Sequence, residues 1–422
     1  MQPEQAGNLS IADGAVPPSV ADALPRIRLC VIATIGKSIQ ILYAGRLEFF
    51  MANGFEVTVV CASSELDDAI RARGVRLFTV PFTRAITPLQ DLRALVRLYR
   101  FLRREHFDLV EVSTPKAALL GSVAARLARS RPIVHVLHGL AYQGKRGLLG
   151  WILRASTRIP CTLSDVTLSV SPSVRDEACK DGIAAPARIC VLAEGSANGV
   201  DLERFSLQRR ALGAEVRRKH GIASDAAVIG FVGRITRDKG IEELAAAFRA
   251  LSTEFPKAVL LLVGDYEDRD RPADSTIDLL STIASVRHVG WQADVVPFMA
   301  AMDVLVLPTY REGLGNVLLE AAAMGIPTVT TDATGARDAV VNGVTGLTVR
   351  VGDAVGLREA VARLLRDAAL REAMGRAGRH WVSEHFDQRH VWQLQVEEYR
   401  RLARRGPGIA GLVEPHAARY EE

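Results

Sequence analysis

Two glutamates, Glu312 and Glu320, lie eight positions apart in the stretch REGLGNVLLEAAAMGIP, residues 311–327. Gly313 and Gly315 lie between them, and the apolar run that follows predicts a helix. Glycines let a ligand approach the backbone closely, and the free N–H groups of a helix start bind phosphate. Carboxylates instead accept hydrogen bonds from hydroxyls. The stretch predicts a polyol ligand that carries phosphate, such as a sugar nucleotide. The alternative is that both acids are helix caps or surface charges.

Two cations, Arg234 and Lys239, lie five positions apart in the stretch VGRITRDKGIEEL. A predicted strand ends at Val232 and a predicted helix begins near Lys239, so both side chains can point to one place above the carboxyl end of the strand. Two adjacent cations suit a diphosphate, which carries two negative groups. The alternative is that they are surface charges of an ordinary strand-to-helix loop.

A histidine and a basic, apolar loop mark another strand end. His138 falls where the strand predicted at 132–139 ends, a position where a lone histidine is more often structural than functional. The loop after it mixes Lys145 and Arg146 with leucines and Trp151. Such a loop predicts either the entrance to a buried helix or a contact with lipid.

An arginine-rich helix is predicted at 87–105. Its apolar stripe is expected to contain Leu92, Leu95, Val96, Tyr99 and Leu102. Its remaining surface carries Arg93, Arg97, Arg100, Arg103 and Arg104. The pattern fits a core-packed helix with a solvated basic side, and it also fits a surface helix that is drawn to anionic lipid headgroups.

Composition narrows the classes of partner. Aromatic residues make up only 6% of the chain and do not alternate with basic ones, so no nucleic-acid partner is expected. Asp268 and Asp270 form a D-x-D sequence, but their acidic loop is expected to face solvent rather than hold a metal. The scattered cysteines lack C-x-x-C spacing, which predicts neither a metal site nor a disulfide and suits a reducing cytoplasm. They are Cys30, Cys61, Cys161, Cys179 and Cys190.

The charge is unevenly distributed along the chain. The formal net charge is +5, yet residues 26–200 carry about +10 and residues 201–422 carry about −2. A basic N-terminal half indicates an anionic partner, either a phosphate or a membrane surface. No apolar run reaches transmembrane length, and the N-terminus does not have the pattern of a secretory signal.

Short apolar runs alternate with longer amphipathic stretches, which predicts βαβ units on parallel sheets. The first set of predicted strands lies at 28–34, 56–63, 75–80, 107–113, 132–139, 165–171 and 187–193. The second set lies at 226–234, 257–265, 286–291, 303–309, 327–332 and 346–350. The two sets predict an α/β chain with two doubly wound domains, whose facing strand ends form a ligand-binding cleft.

The break between the two sets lies near 193–205, where small and turn-forming residues accumulate. The expected organisation is a disordered leader at 1–25, an N-terminal domain at 26–197, a C-terminal domain at 198–385, a helix at 386–405 and a tail at 406–422.

Several motifs, in this order, resemble the retaining glycosyltransferases of family 4, which have the GT-B fold of two Rossmann-like domains. They are TPKAALLG, HGLAY, GSANGVD, GFVGRITRDKGIEEL, PTYREGLGNVLLEAAAMGIPTVTTDATGARDAV and NGVTGL. The likeness covers roughly residues 28–404 and is greatest to bacterial capsule, O-antigen and lipid-linked glycan transferases. It also implies that the last helix, including QRHVWQLQVEEYRRL, crosses back to the first domain.

The resemblance implies roles for individual residues. Arg234 and Lys239 would bind the donor diphosphate, Glu320 the ribose, and Glu312 the donor sugar. His138 would lie beside the transferred sugar. Further donor contacts would come from Gly36, Gly233, Gly313, Leu314, Gly315, Asn316 and Val317. Acceptor or membrane contacts would come from Lys116, Tyr142, Lys145, Arg146, Arg100 and Arg103.

The implied reaction needs neither a metal nor a cofactor, because Arg234 and Lys239 supply the positive charge for the leaving diphosphate. The acceptor hydroxyl would attack on the face that the leaving group occupies, and the leaving phosphate would take its proton. The resemblance favours a UDP-linked N-acetylhexosamine as donor and a polyprenyl-diphosphate saccharide as acceptor. It places the protein in the cytoplasm, peripherally bound to the anionic inner face of the cytoplasmic membrane.

Three alternatives remain open on the sequence. A GT-B nucleotide-sugar epimerase would use the same nucleotide and would need acid and base groups beyond His138. A nicotinamide-dependent oxidoreductase is disfavoured, because neither domain opens with a full G-x-G-x-x-G. A non-catalytic sugar-nucleotide binder is disfavoured by the intact set of Arg234, Lys239, Glu312 and Glu320.

Overall fold

A computed structural model describes residues 26–83 and 85–405. The predicted leader at 1–25 and the predicted tail at 406–422 lie outside these residues. Within them the chain forms two parallel sheets, one of seven strands and one of six.

The first sheet has the strand order β3-β2-β1-β4-β5-β6-β7. Its strands are β1 Ile27–Ile35, β2 Phe55–Ala62, β3 Arg76–Thr79, β4 Leu109–Ser113, β5 Ile133–Leu137, β6 Val166–Ser169 and β7 Ile189–Val191. The helices that connect or follow them are α1 Gly36–Leu42, α2 Arg46–Ala52, α3 Asp67–Arg71, α4 Pro88–Glu105, α5 Pro115–Ala128, α6 Gly147–Leu163 and α7 Pro172–Lys180.

The second sheet has the strand order β10-β9-β8-β11-β12-β13. Its strands are β8 Val228–Val232, β9 Val259–Val263, β10 Val286–His288, β11 Val304–Leu307, β12 Thr328–Thr331 and β13 Gly346–Val349. Its helices are α8 Gly213–Lys219, α9 Ile241–Glu254, α10 Asp274–Thr282, α11 Val296–Ala300, α12 Asn316–Ala323, α13 Ala354–Arg366 and α14 Ala368–His385. The last helix, α15 Gln388–Arg405, follows this domain.

The central strands are apolar along their whole length because helices cover both faces of each sheet. In β4 and β9 every residue is buried. The second domain has one large core cluster, whereas the first sheet has a separate apolar cluster on each face. Each predicted strand overlaps an observed one, which confirms the predicted fold of two doubly wound domains.

The two segments that cross between the domains run side by side. Val200 N donates to Phe386 O at 2.7 Å, and Gln388 N donates to Val200 O at 3.1 Å. Beyond this point α15 returns to the first domain, where Val396, Tyr399 and Leu402 join the core on one face of the first sheet. The predicted crossing of the last helix is thereby confirmed.

A buried charged cluster anchors α15 to the first domain. The guanidinium of Arg46 pairs with the Glu111 carboxylate of β4, and neither side chain is exposed by more than 1%. Tyr43 and Tyr399 donate their hydroxyls to the same carboxylate, each at 2.7 Å. Arg46 also donates to Ala197 O in the crossing segment at 3.1 Å. The cluster joins the interdomain connection to the core, and losing one partner of such a buried pair costs about 3–5 kcal/mol.

The strand order places the cleft. In each sheet the strand order reverses between the first and fourth strands of the domain, β1 and β4 in one domain and β8 and β11 in the other. Loops that leave these strands at their carboxyl ends diverge and open a crevice, where doubly wound proteins bind ligands. The loops after β8 and β11 carry the predicted donor residues.

Candidate active site

The loop after β8 presents the two predicted diphosphate ligands. Gly233 ends the strand with φ of +151°, and a short 3-10 turn, Arg237–Lys239, leads to α9. Gly240 follows with φ of +70°, and a Cβ there would overlap the carbonyl of Pro308. Because a side chain is excluded at this point, the turn packs directly against the end of β11 and brings Lys239 beside the next loop.

The loop after β11 carries Glu312 and packs against the other domain. Glu312 N donates to Thr334 O at 2.9 Å. A Cβ on Gly313 would overlap the carbonyl of His138, so this glycine permits the close approach of the two domains. Gly315, in the left-handed conformation with φ of +74°, begins α12. The predicted approach of a ligand to these glycines stays a prediction.

Lys239 and Glu312 form an ion pair at the centre of the cleft. Lys239 Nζ lies 2.5 Å from Glu312 Oε1, and the two side chains are 14% and 15% exposed. Arg234 lies nearby, 60% exposed, and pairs with Glu267 at the rim. One loop thus supplies two cations and the facing loop supplies one acid, as the residue spacing predicts.

Glu320 lies one helical turn into α12, on the wall of the same cavity as Glu312. Burial raises the pKa of its carboxyl group to about 7, and Arg204 opposes this only weakly. A carboxyl group with few polar partners can accept hydrogen bonds from ligand hydroxyls.

His138 lies opposite these residues, directly after β5. Its Nε2 atom is buried, and none of the described residues offers it a hydrogen bond. Burial lowers the pKa of His138 to about 4, so the ring is neutral at pH 7. A neutral ring with an unpartnered nitrogen can donate to, or accept from, a bound polyol.

Two adjoining cavities fill the cleft. The larger, about 760 Å³, reaches from Glu320 to Glu312, and the smaller, about 280 Å³, lies deeper against the first domain. Both are lined by His138, Arg234, Lys239, Glu312 and Gly313. Gly233, Leu314, Gly315, Asn316 and Val317 line the larger one alone. The structure therefore brings together all predicted donor residues except Gly36.

Three predicted residues of the first domain face other partners. A Cβ on Gly36 would overlap the Ser64 hydroxyl, so this glycine permits close packing there, and its predicted contact with the diphosphate stays a prediction. Lys116 Nζ donates to Thr83 Oγ1 at 2.9 Å, to Asp91 Oδ1 at 2.7 Å and to a backbone carbonyl. Tyr142 is buried and donates to Asp181. These contacts fix neighbouring loops, and none of the three residues lines either cavity.

The other four predicted acceptor or membrane residues are exposed. Lys145 and Arg146 precede α6, whereas Arg100 and Arg103 lie on α4. On α4 the predicted apolar stripe is partly wrong, because Ala94, Leu98, Phe101 and Leu102 are the buried residues. Leu92 and Val96 remain exposed because the helix turns its small Ala94 towards the core and so rotates these two outward.

Two features of the cleft escape prediction from the sequence. Arg311 pairs with Asp238 at 3.0 Å, and both line the smaller cavity. The end of α1, residues 40–42, and the turn before α2, residues 44 and 45, reach the larger cavity, as does Trp392 of α15. The Asp238–Arg311 contact joins two loops 73 residues apart, so only the pairing of β8 with β11 brings these residues together. Asp270 of the D-x-D sequence accepts a hydrogen bond from Asp238 N at 2.9 Å.

Two facing doubly wound domains, with paired cations and acids between them and a last helix that crosses back, define the GT-B architecture. The structure of Anabaena HepE in complex with UDP and glucose has the same fold. The TM-score is 0.75 at 20% identity, over 89% of this chain and 100% of HepE.

Sequence comparison identifies the family. The model of glycosyl transferases group 1 matches residues 214–381, and that of glycosyltransferase family 4 matches residues 47–204. The capsular polysaccharide biosynthesis glycosyltransferase CapM of Staphylococcus aureus is 31% identical over 378 residues, 89% of this chain and 98% of CapM. The chain therefore belongs to glycosyltransferase family 4 and is a glycosyltransferase.

A further relative is an Escherichia coli enzyme, the UDP-Gal:alpha-D-GlcNAc-diphosphoundecaprenol alpha-1,3-galactosyltransferase. It is 27% identical over 335 residues, which make up 75% of this chain and 81% of that enzyme.

Proposed function

We propose that the protein transfers an N-acetylhexosamine from a UDP-sugar to a saccharide carried on polyprenyl diphosphate, with retention of configuration, in the synthesis of a bacterial surface polysaccharide. The observation that carries the proposal is the Lys239–Glu312 pair, which faces both cavities of the cleft. A diphosphate attracts the lysine and a sugar hydroxyl donates to the glutamate, so a nucleotide sugar satisfies both at once.

The nucleotide lies along the larger cavity in this proposal. Glu320 accepts hydrogen bonds from the ribose hydroxyls, Arg234 and Lys239 bind the diphosphate, and Glu312 holds the donor sugar beside His138. The charges of the larger cavity suit such a ligand, because its wall includes both Glu312 and Glu320 and both Arg234 and Lys239. The solved relative HepE, which has the same fold, contains UDP and glucose.

Transfer follows from the same arrangement. The bond between the anomeric carbon and the diphosphate oxygen breaks while Arg234 and Lys239 stabilise the charge on the departing UDP. Preorganised charge of this kind contributes several kcal/mol. The acceptor hydroxyl forms the new bond on the same face, and a phosphate oxygen of the leaving group takes its proton. No metal is needed in this scheme because the two cations neutralise the diphosphate.

A lipid-linked acceptor agrees with the surface of the first domain. CapM and the Escherichia coli relative carry names that specify capsular polysaccharide and a diphosphoundecaprenol acceptor. In this chain α4, α5 and α6 pack side by side, and their N-terminal ends lie at the cleft edge of the sheet. Exposed apolar side chains gather at the starts of α4 and α6, namely Leu89, Leu92, Leu148, Leu149 and Trp151.

Basic residues accompany the exposed apolar side chains of α6. Residues 139–164 contain Lys145, Arg146, Arg154 and Arg158 and no acidic residue. Exposed leucine and tryptophan beside cations is the pattern of a protein that lies on an anionic bilayer. None of the helices in the described ranges has the length and apolar character to span a bilayer. We therefore include peripheral attachment to the cytoplasmic face of the membrane in the proposal.

Nucleotide release tests the reaction. UDP-GlcNAc, UDP-GalNAc, UDP-Glc and UDP-Gal are incubated with the protein, with and without polyprenyl-diphosphate saccharides, and free UDP is measured. We expect release that depends on the acceptor and is fastest with an N-acetylated donor. Interconversion of the donors without transfer would instead identify an epimerase, and the absence of both reactions would contradict the proposed function.

Flotation with liposomes tests the membrane contact. We expect binding to vesicles that contain anionic phospholipid, loss of binding at high salt, and weaker binding of the triple variant Arg100→Gln, Arg103→Gln, Arg146→Gln. A second variant, Leu148→Ser with Trp151→Ser, tests the apolar contribution separately. Equal recovery with and without vesicles at low salt would contradict this part of the proposal.

A further inference from the structure

A third cavity continues the cleft beyond the transfer position. It has a volume of about 460 Å³ and shares Asp238 and Arg311 with the smaller cavity described above. Its remaining wall includes Gln143 and Lys145 of the first domain and Tyr310 of the second. We call it the outer cavity. The cavities therefore form a series, from Glu320 through the Lys239–Glu312 pair to the outer cavity.

The outer cavity lies on the acceptor side of this series. The proposed donor occupies the larger cavity, with its sugar at Glu312 and His138. The Lys239–Glu312 pair then separates the nucleotide from the outer cavity. An acceptor that reaches the donor sugar through the smaller cavity continues into the outer one, because the two share the Asp238–Arg311 wall.

Tyr310 gives the outer cavity a fixed aromatic surface. The Tyr310 side chain is 45% exposed, although its hydroxyl donates to Glu243 Oε1 at 2.6 Å. Its backbone N–H donates to Asp238 O at 2.9 Å. The hydrogen bond to Glu243 raises the pKa of Tyr310 to about 12, so the hydroxyl remains a donor. Both ends of the residue are held while nearly half of its surface stays exposed.

The charged residues that line the outer cavity are balanced. Arg311 pairs with Asp238 at 3.0 Å, and Arg237 pairs with Glu242 at 3.4 Å. Lys145 and Asp270 complete the set, so that three cations face three acids. A wall without net charge is a poor site for a diphosphate, but it offers many donors and acceptors to hydroxyl groups. A partly exposed aromatic side chain adds a surface for the apolar C–H face of a sugar ring.

We propose that the outer cavity binds the sugar units of the acceptor that lie behind the reacting one, with Tyr310 as the stacking surface. The Asp238–Arg311 pair and Gln143 hold the hydroxyls of these units. The proposal rests on the proposed function, because it requires a saccharide acceptor. It predicts that the protein favours an acceptor of at least two sugar units over a single sugar.

Saccharide binding measured by saturation-transfer NMR tests the outer cavity without requiring turnover. The probes are the mono-, di- and trisaccharides of glucose, galactose and N-acetylglucosamine, added to the protein saturated with UDP. We expect at least one trisaccharide to bind about tenfold more tightly than its monosaccharide. Tyr310→Ala should remove this advantage. Tyr310→Phe, which keeps the ring and loses only the hydroxyl, should bind within about twofold of the wild type.

The outcomes separate the two proposals. Equal binding of mono- and trisaccharides in every series, or full trisaccharide affinity in Tyr310→Ala, would overturn the outer cavity. If binding depends on length and on Tyr310 while no sugar transfer is detected, the outer cavity stands and the proposed function fails. Normal transfer with length-independent binding overturns the outer cavity alone.

Discussion

Lys239 and Lys116 have similar surroundings but different expected roles. Each ammonium pairs with a carboxylate, Glu312 at 2.5 Å and Asp91 at 2.7 Å, and each side chain is nearly buried, 14% and 13% exposed. Lys116 has three hydrogen-bond acceptors, Thr83, Ala85 and Asp91, for its three donors. Lys239 has Glu312 and otherwise faces two cavities.

The two lysines differ in how many of their hydrogen-bond donors already have partners, not in their charge. An ammonium with three partners holds a loop in place and has no donor left for a ligand. An ammonium with one partner at the edge of a cavity retains donors that a diphosphate can take. For this reason we assign Lys239 to the reaction and Lys116 to the fold, although the motifs that resemble the family contain both.

The largest expected effect is the loss of Lys239. Lys239→Ala should lower sugar transfer by about 10²–10³-fold, because it removes charge from the leaving diphosphate. Glu320→Ala, which removes the proposed ribose ligand, should also abolish measurable transfer while the fold survives. Lys257→Ala is the control, since Lys257 forms an exposed pair with Asp225 on the same domain. Near-normal UDP release by both site variants would refute the assignment of the site.

Lys116→Ala should show the opposite behaviour. It leaves Asp91 without its ion partner and frees the loop that contains Thr83 and Ala85, so the free energy of unfolding should fall by about 1–3 kcal/mol. The turnover number should stay within about threefold of the wild type. Urea unfolding and UDP release measure the two quantities. A large loss of turnover with unchanged stability would erase the contrast with Lys239.

The pH dependence of UDP binding tests Glu320. In the free protein burial raises the pKa of Glu320 to about 7. Ribose hydroxyls stabilise the carboxylate and lower its pKa in the complex, so binding releases a proton below pH 7. Affinity should therefore fall about tenfold between pH 7.5 and pH 5.5 in calorimetric titrations. Glu320→Gln should bind weakly and with a smaller pH dependence than the wild type, because only the terminal phosphate of UDP, with a pKa of about 6, still titrates in this range. Equal pH dependence in both proteins would speak against this role.

The smallest expected effect concerns a contact between the domains. Ser173, at the start of α7, donates its N–H to Asp338 Oδ2 at 3.0 Å and its hydroxyl to the same oxygen, and it accepts from Gly335 N at 2.7 Å. Gly335 packs against the carbonyl of Glu312, so this contact supports the donor loop. Asp338→Ala should lower turnover about fivefold and leave UDP affinity within about twofold, since neither Ser173 nor Asp338 lines the larger cavity.

Asp338→Asn keeps one acceptor oxygen and should give an intermediate turnover. Small-angle scattering should show a larger radius of gyration for Asp338→Ala than for the wild type. An unchanged turnover in Asp338→Ala would show that the Ser173–Asp338 contact does not position Glu312.

The cluster of predicted donor residues was predictable from the sequence because these residues follow the ends of strands. Arg234 and Lys239 follow β8 in the chain, and Glu312 and Glu320 follow β11. Their short spacings are set by the loops between each strand and the next helix. The carboxyl ends of adjacent parallel strands meet at one edge, so these loops had to converge. The residues that line the outer cavity have no such pattern in the sequence. Neither the types nor the spacing of Tyr310, Arg311 and Asp238 indicates a site in the sequence. These residues come together only because two loops contact each other.

The buried Arg46–Glu111 cluster shows the same limit. Arginine at 46 and glutamate at 111 are ordinary surface residues by type, yet both are fully buried because Tyr43, Tyr399 and Ala197 supply hydrogen bonds from distant segments. Periodicity also misplaced the apolar face of α4, since a small buried Ala94 carries little weight in a hydrophobic pattern.

The sequence by itself determined the alternation of strands and helices, the two doubly wound domains and the grouping of the predicted donor residues in one cleft, because local periodicity and strand-end position encode them. Only the tertiary structure decided which charged side chains are free. A lysine that meets three acceptors and a lysine that meets one are alike in sequence. The number of partners depends on long-range packing, and that packing separates the residues that hold the fold from those that face the cleft.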